Sequence, residues 1–354
     1  MNMKKIRSAL IGYGLSGQVF HAPFLHTSAH FDFCTVMERS RNLAKQTYPY
    51  VERTDSFESI LEDESIELVV ITTPNSQHYD MIKQALLHKK HVIAEKPFTV
   101  TSLEGYELSR LAKSQKRLLT VYHNRRWDGD FLTVQAILSQ GLIGRPAVYE
   151  AHFDRFETRI DEHAWREKAL PGSGVVYDLG SHLIDQALCL FGEPDEITAD
   201  IWVQREGGKA DDAFSIRLHY PGLTADLKSG MLVKEQGPRF QIHGTMGSFV
   251  KYGIDPQEER LKAGRMPDEN LGKETDRDWG ILNTELNGLH CRGSIETKPG
   301  RYMSFYDAVY QSIREGSEPP VHPEAAADVI RIIECAMISA REKRTVSFPV
   351  MSSY

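Results

Sequence analysis

Ile6-Arg7-Ser8-Ala9-Leu10-Ile11-Gly12-Tyr13-Gly14-Leu15-Ser16-Gly17 is an apolar run that ends in three glycines spaced G-x-G-x-x-G. The stretch after it, Gln18 to Leu25, is placed to open a helix. Strand, tight glycine turn and helix N-terminus is the order that dinucleotide binding requires. Gly12 makes the turn, Gly14 lets the backbone approach a pyrophosphate, and Gly17 lets helix and strand pack closely. Leu15 and Ser16 share this turn, whose free N–H groups and helix dipole would hold the phosphates. The motif alone also fits a glycine turn that binds nothing, so its context matters. A second apolar run, Phe31 to Met37, ends in Glu38, about 20 residues past Gly17, where an acid binds the adenosine ribose. Glu38 suits the free hydroxyls of NAD, while Arg39 and Ser40 suit the 2′-phosphate of NADP. The expected cofactor is NAD(P), with the choice open.

The rest of the first ~120 residues alternates short apolar runs with helical patterns, as a doubly wound parallel sheet does. Leu68 to Ile71, His91 to Ala94 and Leu118 to Tyr122 read as strands. Arg41 to Thr47, Ser56 to Leu61, Tyr79 to His88 and Leu103 to Lys113 read as helices. Each strand is followed by a polar cluster, and in such sheets the ligand crevice lies beyond the carboxyl ends of the strands. From Pro146 the pattern changes to strands separated by short turns, with Val175 to Phe191 helical between the first two. This predicts an α/β chain: a Rossmann domain over 1–124 and an α+β domain with a large, mostly antiparallel open sheet over 125–354. Gly253 to Gly300 is polar and reads mostly as loop, and Phe305 to Glu315 and Glu324 to Glu342 read as helices.

At 354 residues, two domains are the default. The 41% apolar and 26% charged content fits a soluble globular protein, and the net charge of -7 disfavours nucleic acid or an anionic membrane as partner. The four cysteines show no zinc or C-x-x-C spacing, as expected of reduced thiols in a cytoplasmic protein. The basic start, Met1 to Arg7, precedes an apolar stretch too short for a signal peptide or a membrane span.

Three clusters bear chemistry. Glu95-Lys96-Pro97 closes a strand with a lysine fixed between an acid and a proline, which suits proton transfer if its surroundings lower its pKa. The plainer alternative is a solvated lysine. Asp178 and His182 lie four apart on one helix face, so the carboxylate can orient an acid/base imidazole or simply stabilise the helix. Asn124, Arg125 and Arg126 suit a polyhydroxylated substrate or the nicotinamide carboxamide, or form a surface charge cluster. Trp165 reads first as a core or interface residue. His21 reads as helix packing. No metal is expected: ligand spacing is lacking, and Lys96 can supply the electrophilic role.

Together, the glycine turn, Glu95-Lys96-Pro97 and Asp178-Leu179-Gly180-Ser181-His182-Leu183-Ile184-Asp185 resemble the Gfo/Idh/MocA oxidoreductases, along essentially the whole chain. Phe20-His21-Ala22-Pro23, Tyr122 to Asp128 and Trp165-Arg166-Glu167-Lys168 resemble its branch of NADP-type scyllo-inositol dehydrogenases. The resemblance implies hydride transfer between NAD(P) and a ring carbon of a cyclic polyol or sugar, with Lys96, Asp178 and His182 catalytic. It implies a cofactor-lining turn at Thr73, Pro74, Asn75 and His78, with Glu95, Lys96, Pro97 and Asn124 also beside the cofactor. Substrate contacts fall to Lys96, Asn124, Arg125, Arg126, Trp165, Asp178 and His182, the Lys96-Pro97 bond is expected cis, and the second domain's sheet would form a homodimer or homotetramer interface. The alternatives are a non-catalytic NAD(P)-sensing regulator and an NAD-dependent glycosidase.

Overall fold

The computed structural model describes residues 4–39, 42–161 and 164–348. The chain divides into two compact units. The described residues of Met1–Trp127, Pro256–Gly272 and Arg301–Ala327 make the first. Its strands are β1 (Ile6–Ile11), β2 (Phe31–Met37), β3 (Glu52–Thr54), β4 (Leu68–Ile71), β5 (His91–Ala94) and β6 (Leu119–Val121). They lie in the order β3-β2-β1-β4-β5-β6, and every ladder is parallel. All four residues of β4 are buried, because helices cover both faces of such a sheet. β3 adds a strand that the sequence pattern hides. Glu52-Arg53-Thr54 is short and polar, the form that keeps a sheet edge from pairing with another chain.

The helix starts follow their caps. Ser56 accepts the Ser59 N–H at 3.1 Å and so caps Phe57–Glu62. Thr101 and Glu104 form a reciprocal capping box at Ser102–Gln115. The two returning segments bring helices Gln257–Lys262 and Met303–Glu315 into this unit. Phe24 stacks on Tyr306 with centroids 5.2 Å apart, and Tyr122 meets Phe305 edge-on at 4.8 Å.

The second unit holds β7 (Pro146–His152), β8 (Glu196–Trp202), β9 (Ala213–Tyr220), β10 (Leu223–Gly230), β11 (Phe240–Gly244), β12 (Gly247–Lys251), β13 (Gly280–Leu286), β14 (Leu289–Ile295) and β15 (Val346–Ser347). Their order is β14-β13-β12-β11-β7-β10-β9-β8-β15. The β7–β10 ladder is parallel and the others are antiparallel. Alternate residues such as Tyr149, Ile216, Leu218, Leu227 and Phe249 are buried in one core with helices Gly129–Ser139 and Ser181–Phe191. The intervening positions are polar, as in the cross-strand Arg217–Asp226 pair at 2.7 Å.

The loop expected over Gly253 to Gly300 is corrected: it contains Gln257–Lys262, β13 and β14. β13 turns Gly280, Leu282 and Thr284 inward, so only one of its inward positions carries a large apolar side chain. β14 alternates Leu289, Cys291, Gly293 and Ile295 with polar residues, yet it is exposed along almost its whole length. Among the described residues no helix is long and apolar enough to cross a membrane.

Candidate active site

In the first unit the polar clusters all lie at the carboxyl ends of the parallel strands. The chain leaves β1 at Gly12, whose φ of +97° favours glycine. The Thr72 hydroxyl, at the end of β4, contacts the Ile11 and Gly12 carbonyls at 3.0 Å each and pins the turn. A Cβ on Gly17 would stand 2.6 Å from the Gly12 carbonyl oxygen, so that glycine serves the protein's own packing. Gly14 is different, because a Cβ there would meet nothing within 4 Å. The protein leaves that space open, and a pyrophosphate fits it. We expect Gly14→Ala to melt within about 2 °C of the wild type, as an unpacked surface change should. The same variant should bind the dinucleotide at least about tenfold more weakly, as a displaced phosphate contact would. Scanning calorimetry reads the melting temperature and titration calorimetry the affinity, and equal affinity would remove the pyrophosphate from this turn.

Next to the turn, Glu95 collects three donors. Its buried carboxylate accepts the Ser16 hydroxyl, His21 Nε2–H at 2.9 Å and the Lys96 backbone N–H at 2.9 Å. Burial alone would raise the Glu95 pKa, but His21, Ser16 and Lys96 outweigh it and hold the carboxyl below its usual range. His21 Nδ1 lies 2.8 Å from the Tyr306 hydroxyl. His21 is therefore more than packing: it holds the acid beside Lys96. A histidine among apolar neighbours was the signal for it. Lys96 is half-buried, and the Lys96-Pro97 bond is cis.

The remaining positions of this unit divide by what they touch. Leu15 is exposed and Asn75 is buried. Pro74 is exposed. The Thr73 hydroxyl contacts Met81 Sδ at 3.5 Å. His78 is buried with both ring nitrogens near carbonyls, Nε2 at 2.8 Å from Thr73 and Nδ1 at 3.0 Å from Phe98. Burial pushes its pKa down. It ties the turn after β4 to the segment after β5. Glu38 is also engaged with protein: its two oxygens accept the Leu43 and Ala44 N–H groups at 3.1 and 3.2 Å, at the start of Leu43–Thr47. Arg39 is exposed, its carbonyl 2.9 Å from the Arg53 guanidinium, and Ser40 lies outside the described residues.

Asn124–Trp127 forms one 3₁₀ turn after β6. Asn124 is buried and Arg126 half-buried. Arg125 is buried and paired with Glu258. Burial would raise Glu258, but Arg125 and Lys262 outweigh it and hold its carboxyl at about 2. A folded-state pKa below the ordinary 4.5 means that the pair's stability is present above pH 4.5 and fades as pH falls toward 2. Denaturant titration of Glu258→Gln should therefore show a deficit at pH 7 that shrinks between those values. A deficit constant with pH would contradict the pairing.

In the second unit the expected helix has two parts, a single π-turn at Val176–Gly180 and an α-helix at Ser181–Phe191. π-turns recur at functional sites. Asp178, His182, Asp185 and Gln186 are buried. The His182 ring stacks near Phe153, centroids 6.2 Å apart. The Arg239 guanidinium lies 5.0 Å from the same Phe153 centroid and donates to Gln186 Oε1 at 3.1 Å, one turn beyond His182. Neither Phe153 nor Arg239 carries a motif that the sequence would reveal. Trp165 opens the 3₁₀ turn Trp165–Glu167. Arg205 anchors that turn, donating to Glu167 at 2.7 Å, to Asp212 at 2.8 Å and to the Arg159 carbonyl at 3.1 Å.

Residues 6–123 match the pattern described as "Oxidoreductase family, NAD-binding Rossmann fold", and residues 135–348 match "Oxidoreductase family, C-terminal alpha/beta domain". The scyllo-inositol 2-dehydrogenase (NADP(+)) IolW of Bacillus subtilis (strain 168) is 42% identical over 342 residues, covering 96% of this chain and 95% of that protein. The solved structure of yvaA from Bacillus subtilis shares 41% identity at a TM-score of 0.95, covering 99% of this chain and 100% of that one. A solved structure from Bacteroides fragilis NCTC 9343 shares 43% identity at a TM-score of 0.90, covering 97% and 100%.

Proposed function

The chain belongs to the Gfo/Idh/MocA oxidoreductase family and is an NAD(P)-dependent dehydrogenase of CH–OH groups, and from that premise we propose that its substrate is a cyclic polyol of the inositol type or a sugar. The observation that carries the reading is the retained set Lys96, Asp178 and His182, with the last two buried and the space at Gly14 left open. The similarity to a scyllo-inositol dehydrogenase along nearly the whole length supports the substrate class.

When bound, the nicotinamide supplies the hydride acceptor or donor. In this reading the N–H groups of Gly12 to Gly17 hold the pyrophosphate, and Thr73, Pro74 and Asn75 line the nicotinamide side. Glu95 fixes the backbone of Lys96 by accepting its N–H in the hydrogen bond described above. The Lys96 ammonium donates to the substrate oxygen and stabilises the charge that develops there. His182, oriented by Asp178, takes or returns the hydroxyl proton. Asn124, Arg126 and Trp165 contact further hydroxyls, whereas Arg125 acts through Glu258. The engagement of Glu38 with a helix start leaves Arg39 and Arg53 for a 2′-phosphate and favours NADP. The polar face of the second unit's sheet is the proposed homodimer or homotetramer surface. A cytoplasmic location is supported by four cysteines free of disulfides.

The test is kcat/KM for inositols and pyranoses against open-chain hexitols, with NAD and NADP separately. A site built for ring hydroxyls should favour the cyclic substrates by at least about 100-fold. Equal use of open-chain hexitols would refute the substrate class.

A further inference from the structure

We infer that Asp211 is a positioning residue that sets the start of the helical stretch bearing Asp178 and His182. This rests on the assignment of that pair to proton transfer. Asp211 precedes β9 and is remote in sequence from the stretch it touches. Its Oδ2 accepts the Val176 N–H at 2.8 Å, and its carbonyl accepts the Val175 N–H at 2.9 Å. Val176 opens the π-turn two residues before Asp178. The chain is shaped to receive the carboxylate: Gly174 has φ +87°, and a Cβ there would stand 2.1 Å from Asp211 Oδ1. The next residue, Asp212, keeps Asp211 from shifting by accepting the Gln204 and Arg205 N–H groups at 2.5 and 3.1 Å. A first helical turn has N–H groups without helical partners, and a carboxylate satisfies one while opposing the positive end of the dipole. Asp211 thus fixes where the turn begins, and so where Asp178 and His182 stand.

Burial, with the Asp212 charge adding to it, pushes the Asp211 carboxyl up to about 6 against the N–H bonds that lower it. A folded pKa above the ordinary 3.8 means that the folded protein disfavours the ionised form at neutral pH.

The experiment compares Asp211→Asn and Asp211→Ala with the wild type at pH 8. Asp211→Asn, whose amide oxygen can still accept the Val176 N–H, should keep kcat within a few-fold of the wild type. Asp211→Ala should lower kcat by about 10- to 100-fold, the cost of a misplacement near 1 Å, with dinucleotide affinity unchanged. Hydrogen exchange of residues 176–182 should accelerate in Asp211→Ala. Unchanged exchange there, or unchanged kcat per bound dinucleotide in Asp211→Ala, would overturn the inference. The exchange measurement needs no turnover, so a wild type inactive on every polyol would count against the proposed function alone.

Discussion

Lys96→Met lowers kcat by about 100- to 10,000-fold and leaves dinucleotide affinity within a few-fold of wild type; that is the expected result, in the range of a lost proton-transfer group. Methionine keeps most of the side chain's length but removes its charge and its three donors. The backbone bond that holds position 96 survives the change, because Glu95 accepts the Lys96 N–H, which the substitution leaves in place. The glycine turn also survives, since Glu95 keeps Ser16 and His21. Steady-state rates and calorimetric binding separate the two effects. A variant that retains more than about a tenth of the activity would remove Lys96 from proton transfer, since such a loss is worth only ~1.4 kcal/mol.

Arg205→Met should cost about 3–5 kcal/mol of stability, the usual penalty for breaking a buried ion pair from one side. Arg205 is buried between Glu167 and Asp212, with side-chain exposures of 3%, 7% and 1%. Its loss strands two carboxylates away from water. For a unit of this size that corresponds to roughly 6–20 °C in melting temperature. The turn that begins at Trp165 would loosen with it, so KM for the polyol should rise. Differential scanning calorimetry measures the first effect, and a loss under about 1 kcal/mol, the worth of an exposed pair, would contradict burial of the triad.

What the sequence discloses and what it withholds follow from local physics. β1, β2, β4 and β5 are buried on both faces, so their apolar runs stand out. The glycine turn is legible because Gly12 and Gly17 answer to local geometry. Glu95-Lys96-Pro97 and the Asp178–His182 stretch are legible as family motifs, and similarity to the relatives bears out the family. β3 carries no apolar residue and leaves no periodic trace, while the weak alternation of β14 through Leu289, Cys291 and Ile295 lies among glycine and polar residues on an exposed strand. Long-range partners leave none either. The aromatic face of Met303–Glu315 announces a helix, but nothing local says that Tyr306 will meet His21. Arg125 looks like a solvated cation until Glu258, far along the chain, is placed beside it. Glu38 satisfies the spacing of a ribose ligand, yet its oxygens turn to Leu43 and Ala44. Asp211 and Arg239 belong to no motif at all.

We propose net hydride transfer between NAD(P) and a ring carbon. The most direct measurement is a turnover of deuterated inositol, labelled at every ring carbon, with oxidised dinucleotide and purified protein, followed by mass spectrometry of the cofactor. The account predicts reduced nicotinamide carrying one deuterium, with a matching amount of keto-inositol. Unreduced cofactor after prolonged incubation with inositols and sugars alike, despite calorimetrically verified binding, would contradict it.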